Sequence, residues 1–194
     1  MKRRTALKQL GVLAGAAALL PQCIGKETVT TPASIALNKI SITGNQETLL
    51  ATIAETLIPK TDSPGAGDLK VHHVALRMID DCTEAPQQQS FLLGLKQFES
   101  AVEEKAGKSF DELSAEERKK FLMEAEAGKL EPALKGDEKN SIQEFYSLYR
   151  GQVIWGYLES EYVMTNVFGY NMIPGKFTGV VEINANSDLK TILG

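Results

Sequence analysis

Few side chains in this chain have the chemistry for a reaction or a metal. His72 and His73 are the two histidines, and imidazole is a frequent ligand of zinc-like cations. Adjacent helical residues point about 100° apart, so the pair alone cannot chelate one ion as an i, i+4 pair would. No cysteine or carboxylate cluster stands at ligand spacing nearby. Both rings are therefore expected at the surface or facing a partner. Cys82 falls on an apolar helical stripe, where a thiol behaves as a small apolar group rather than a nucleophile. Gly65-Ala-Gly-Asp-Leu-Lys70 has the outline of a phosphate loop, but it lacks the preceding strand and the full glycine pattern. Asp62 and Asp68 miss the calcium-loop spacing. There is no Cys-x-x-Cys-His, no Gly-x-Ser-x-Gly and no His-Glu-x-x-His. The chain is thus expected to carry no catalytic, cofactor-binding or metal-binding residue of its own.

The most constrained stretch is Glu55 to Asp68. Pro59 lacks the amide that a continuing helix needs and biases Ile58 away from helical angles. Pro64-Gly65 is a turn signal, and Gly67 adds a second position free of Cβ restrictions. Thr61, Asp62 and Ser63 can bond neighbouring amides. Glu55 lies near a helix C-terminus, where the helix dipole disfavours an anion. It needs compensation, either from loop amides or from a basic partner.

These residues must be positioned by a helical body. Residues 45–194 are read as one all-α domain of about five helices with an irregular aromatic C-terminal segment. The first helix covers about 45–58. Val71, Val74, Ala75, Met78, Ile79 and Cys82 give the second an amphipathic stripe. Pro86 suits the first turn of a third helix, with Phe91, Leu92, Leu95, Phe98 and Val102 on its face and Gly107 at its end. Ser114-Ala-Glu-Glu117 is a capping box opening a fourth, which Gly128 closes. The last runs from about Ser141 to Glu161, with Ile142, Phe145, Tyr146, Tyr149 and Val153 on one face. Only Phe177 to Ile183 reads as extended. The rings from Tyr146 to Phe177 are interleaved with glycines; they fit either a core or a protein interface, since Tyr and Trp give large contact area at low entropic cost.

Hydrophobic residues make up 43% and charged residues 24% of the 194 residues, a globular composition, and two cysteines are too few for a disulfide framework. Net charge is −4. Residues 1–22 hold Lys2, Arg3, Arg4 and Lys8 and no acid; without them 17 basic residues face 25 acidic ones, a net −8. So acidic a body argues against nucleic-acid binding.

Residues 1–22 read as an export signal: a basic start, then an apolar run from Leu10 to Leu20, too short to span a bilayer as a helix. Arg3, Arg4, Leu7 and Lys8 resemble the twin-arginine motif, which implies export in the folded state, often with a cofactor inserted. Leu20-Pro-Gln-Cys23 resembles a lipobox, making Cys23 a candidate for lipid modification; the alternative is an ordinary cleavage site nearby. Residues 23–44, rich in Thr, Ser and Gly, read as a tether of low regularity.

Three blocks carry a family resemblance. Ile53 to Ala66, containing Glu55, Pro59, Thr61, Asp62, Pro64 and Gly65, resembles the opening motif of the gluconate 2-dehydrogenase subunit 3 family. Gly156 to Glu161 and Tyr170 to Gly179, the latter with Tyr170, Pro174, Gly175, Phe177 and Gly179, resemble its closing segment. The resemblance implies the small subunit of a periplasmic or membrane-associated dehydrogenase oxidising gluconate or related sugars. FAD would sit in a separate large subunit of the glucose-methanol-choline type, and a third, c-type cytochrome component would carry haem c. The small subunit would aid folding and carry the flavoprotein through the twin-arginine route, with no catalysis of its own; a lipid on Cys23 would anchor the complex. The alternative is a stand-alone helical envelope lipoprotein acting as a binding or scaffold module. An apolar patch on the aromatic C-terminal segment favours the first; a closed pocket lined by His72, His73 and tyrosines favours the second.

Overall fold

The computed structural model describes residues 31–131, 141–170, 173 and 180. The export signal with Arg3, Arg4, Leu7 and Lys8, the candidate lipidation residue Cys23, and the closing-motif residues Pro174, Gly175, Phe177 and Gly179 lie outside them. So does the stretch expected to be extended, apart from Val180.

Five α-helices stand among the described residues: α1 (Gly44–Leu57), α2 (Val71–Cys82), α3 (Ala85–Ala106), α4 (Ala115–Glu126) and α5 (Ser141–Leu158). A short 3₁₀ turn, Phe110–Glu112, precedes α4, and a π-helical turn, Val163–Val167, follows α5. The described residues form no strand beyond one isolated antiparallel bridge between Pro32 and Thr43, so the all-α expectation holds. None of their helices is long and apolar enough to cross a membrane.

The helix ends follow local chemistry. Thr43 caps α1: its side chain accepts from the Gln46 amide, and the Gln46 side chain accepts from the Thr43 amide. Ser114 and Glu117 do the same at α4. Gly107 ends α3 with φ 66°, a left-handed conformation that a side chain would strain. Gln88, on the first turns of α3, donates to the carbonyls of Ile79, Asp80 and Thr83 and so closes the end of α2.

The core is built around the crossing of α3 and α5. A Cβ on Gly94 of α3 would stand 2.2 Å from the Ser141 carbonyl and 2.5 Å from Phe145 Cβ. That close approach packs Phe91 and Phe98 against Phe145 and Tyr149. The Tyr149 hydroxyl is buried and donates to the Leu50 carbonyl of α1 at 2.8 Å, which satisfies it without water. The expected face of α5, Ile142, Phe145, Tyr146, Tyr149 and Val153, is buried as a set.

Two expectations need correcting. The segment read as a tether is, from Thr31 onward, a strap against the helices. Ile35, Ile40 and Ile42 join the core, and Asp80 of α2 accepts from the amides of Asn38, Lys39 and Ile40 at 2.6–2.8 Å. The buried face of α2 is also rotated from the expected stripe. Val71, Ala75 and Ile79 are shared, but the flanking row is His72, Leu76 and Asp80. Val74 is exposed and so is Cys82, which is therefore no core thiol.

Candidate functional site

Three places on the described surface combine chemistry with access. The first is the loop from Ile58 to Lys70. Glu55, at the end of α1, turns its carboxylate into this loop: Oε1 accepts from the Lys60 amide at 3.1 Å and Oε2 from the Gly67 amide at 2.7 Å. The compensation for Glu55 is thus two loop amides. A Cβ on Gly65 would lie 2.7 Å from the Lys60 nitrogen and 2.8 Å from both Glu55 oxygens; one on Gly67 would lie 2.7 Å from Oε2. Glycine at both positions is what lets backbone and carboxylate meet. Asp68 accepts from the Gly65 amide and pairs with Lys60 at 3.2 Å. Tyr157 of α5 donates to the Pro64 carbonyl at 3.0 Å, tying the loop to the last helix. Pro59, Thr61 and Asp62 lie on the outer surface of this corner. Both carboxylate oxygens of Glu55 are engaged by loop amides, so the loop is a clamp.

The second place is at the other end of α1. Glu47 is buried and accepts from the backbone amide and the hydroxyl of Ser34 in the strap. Its Oε1 stands 3.0 Å from His73 Nε2. His72 lies beside them, its ring centroid 4.4 Å from that of His73 in an edge arrangement. One ligand atom from each of Glu47, His72 and His73 falls within 4.8 Å of the others. Burial raises the Glu47 pKa, but the Ser34 hydrogen bonds and His73 outweigh it and leave it below the ordinary value. Burial, with the neighbouring His73, lowers His72 to about 4, so its ring is neutral at pH 7. His72 is 9% exposed, and its Nδ1 is buried without a hydrogen-bond partner among the described residues.

The surface or partner-facing expectation therefore fails for His72, which is buried, and His73 is half-buried and paired. The 100° between adjacent side chains remains true of the pair. What it left out was a third group arriving from α1, 25 residues earlier in the chain. No local spacing signals Glu47; only the packing of α1 on α2 brings it to the imidazoles. An open groove of about 680 Å³ runs past this point, its lining including Ser34, Glu47, Glu55, Asp68, His72 and Arg118.

The third place is apolar. Val74 of α2 is 40% exposed, Trp155 of α5 43% and Leu158 44%; Ile154, Val167 and Tyr170 are exposed as well. Val74, Trp155 and Tyr162 line one shallow groove where Gly156 lets α5 approach α2, a Cβ there lying 3.3 Å from Val74. The aromatic segment thus divides: Tyr146 and Tyr149 are core, while Trp155 and Tyr170 face solvent.

The sequence model of the family described as gluconate 2-dehydrogenase subunit 3 matches residues 44–175. The chain belongs to this family. By that description it is an accessory subunit of a dehydrogenase complex and associates with a catalytic subunit. The match spans the five helices, the Glu55 loop, the Glu47 cluster and the apolar end of α5. No curated protein and no solved structure matches the chain. Of the subunit 3 motif residues, the structure brings together Glu55, Pro64 and Gly65 through Tyr157, Lys60 and Gly67, and leaves Tyr170 exposed beyond the π-helical turn.

Proposed function

We propose that this chain is the non-catalytic small subunit of an exported dehydrogenase that oxidises gluconate or a related sugar. Its partner is an FAD-containing large subunit of the glucose-methanol-choline type, which this chain helps to fold and carries through the twin-arginine route under the signal at Arg3, Arg4, Leu7 and Lys8. A c-type cytochrome holding haem c takes the electrons onward, and a lipid on Cys23 anchors the periplasmic assembly.

The observation that carries this reading is the exposed apolar face at the end of α5, on a chain whose family is that of a complex subunit. Trp155 and Val74, which line one groove with Tyr162, leave apolar area in water at a cost of about 25 cal/mol for every square ångström. A patch that combines Trp, Tyr and branched residues is what a protein partner covers. The stand-alone binding module has less support: the groove beside His72 is open and carries no tyrosine in its lining.

Co-expression of this chain with a flavoprotein of that type, followed by affinity purification from the periplasm, tests the proposal. The expected result is co-purification of the flavoprotein, loss of its export in a strain lacking this chain, and loss of association on Trp155→Ala with Leu158→Asp. Normal flavoprotein export without this chain, and no flavoprotein recovered with it, would overturn the proposal. Mass spectrometry of the mature N-terminus reads the lipid on Cys23 directly.

A further inference from the structure

We propose that Glu47, His72 and His73 form a binding site for one divalent transition-metal ion of the zinc class, fastening the N-terminal strap to α1 and α2. Two nitrogens and one carboxylate oxygen are a ligand set that borderline ions accept, with a fourth position left to water. The geometry is close to assembled. Tetrahedral coordination with bonds of about 2.0–2.1 Å sets neighbouring ligand atoms roughly 3.4 Å apart. Glu47 Oε1 and His73 Nε2 are 3.0 Å apart, and the third ligand atom completes a set within 4.8 Å, so small rotations of the rings close it.

Two further observations point the same way. His72 is buried with Nδ1 unpartnered among the described residues, a costly arrangement that an ion bound through that nitrogen would relieve. Finally, the Ser34 amide and hydroxyl orient the Glu47 carboxylate from behind, the role that outer-shell donors play around bound metals. The groove in front carries Glu47, Glu55 and Asp68; Lys60 pairs with Asp68, and the Arg118 guanidinium donates to the carbonyls of Phe110 and Asp111. The proposal does not depend on the partner assignment.

The test uses the purified full-length chain stripped with EDTA and titrated with Zn²⁺, with Co²⁺ as the spectroscopic probe. Expected are one ion per chain, visible Co²⁺ absorption typical of nitrogen and oxygen ligands, and a thermal midpoint higher by about 5–10 °C when free Zn²⁺ exceeds Kd 100-fold. His73→Gln and Glu47→Gln should each weaken binding by about 100-fold or more. Both leave the core in place, so the result stands even if His72→Gln fails to fold; far-UV circular dichroism checks each variant. Glu144→Gln, on the exposed side of α5, should bind as wild type. Sub-stoichiometric Zn²⁺, no Co²⁺ absorption, or binding unchanged in His73→Gln and Glu47→Gln would overturn the proposal.

Discussion

Glu47 and Glu55 sit on the same helix, eight residues apart, and do different work. Glu55 accepts from two loop amides and has no group beside it left unpaired. Glu47 accepts from Ser34 but also faces two imidazoles, one of them with a buried orphan nitrogen. A saturated carboxylate fixes a backbone. An unsaturated cluster keeps bonding capacity in reserve, and the protein bears the desolvation of that capacity until something fills it. The end of α1 that carries the more prominent sequence motif is thus the structural one. The end that attracts no notice in the sequence holds the unsaturated cluster.

This contrast breaks most readily at the glycines of the Glu55 clamp. Gly65→Ala places a Cβ 2.7 Å from a backbone nitrogen that cannot swing away. We expect a loss of about 3 kcal/mol, read as a lower urea midpoint at unchanged slope. Glu55→Ala leaves the Lys60 and Gly67 amides without their acceptor and should cost about 2 kcal/mol. In metal-free protein the same change at Glu47 should cost less, because the strap amide it abandons lies where water can reach it: Ser34 is exposed. Equal losses at the two glutamates would remove the distinction between clamp and cluster.

How far the sequence reveals these features depends on how local their causes are. The caps at Ser114 and Gly107 and the proline at the start of α3 are read correctly because each involves residues within a turn of one another. The inner face of α5 is legible because its apolar residues repeat without polar interruption. On α2 two rows compete. Val74, Met78 and Cys82 complete an apolar stripe, yet the buried row is His72, Leu76 and Asp80. Polar residues win that face because their partners come from elsewhere: three strap amides for Asp80, and Glu47 beside the imidazoles. No pattern count on α2 contains those partners. The strap was hidden for the same reason. Ile35, Ile40 and Ile42 stand among Ser, Thr and Asn in a segment without helical periodicity, and only the docked structure shows them buried.

Asp80 extends the comparison to a third carboxylate and gives it a pH dependence. Burial raises its pKa, but the amides of Asn38, Ile40 and Lys39 more than offset this, and it lies below the ordinary value of 3.8. A carboxylate depressed in the folded state contributes stability above its unfolded pKa and loses it as pH falls through the folded one. The strap should therefore hold at pH 5–7 and weaken below about pH 4. Urea midpoints of wild type and Asp80→Asn should differ by about 1–2 kcal/mol at pH 7 and converge at lower pH. A gap that stays constant down to pH 3 would mean that these amides do not depend on the charge.

The smallest expected effect has the opposite sign. In metal-free protein His72 buries an imidazole nitrogen that has no hydrogen-bond partner among the described residues. His72→Leu removes that polar atom and keeps most of the volume, so the desolvation penalty disappears while packing against its neighbours in α2 survives. We expect the stripped variant to be more stable than stripped wild type by up to about 1 kcal/mol. Saturating Zn²⁺ should reverse the order, because only wild type gains from the ion. A corresponding Glu55→Leu change should destabilise under both conditions, since that carboxylate is already fully used. A zinc-dependent change of sign at one end of α1, and none at the other, would separate a reserved ligand set from a completed clamp in a single pair of denaturation curves.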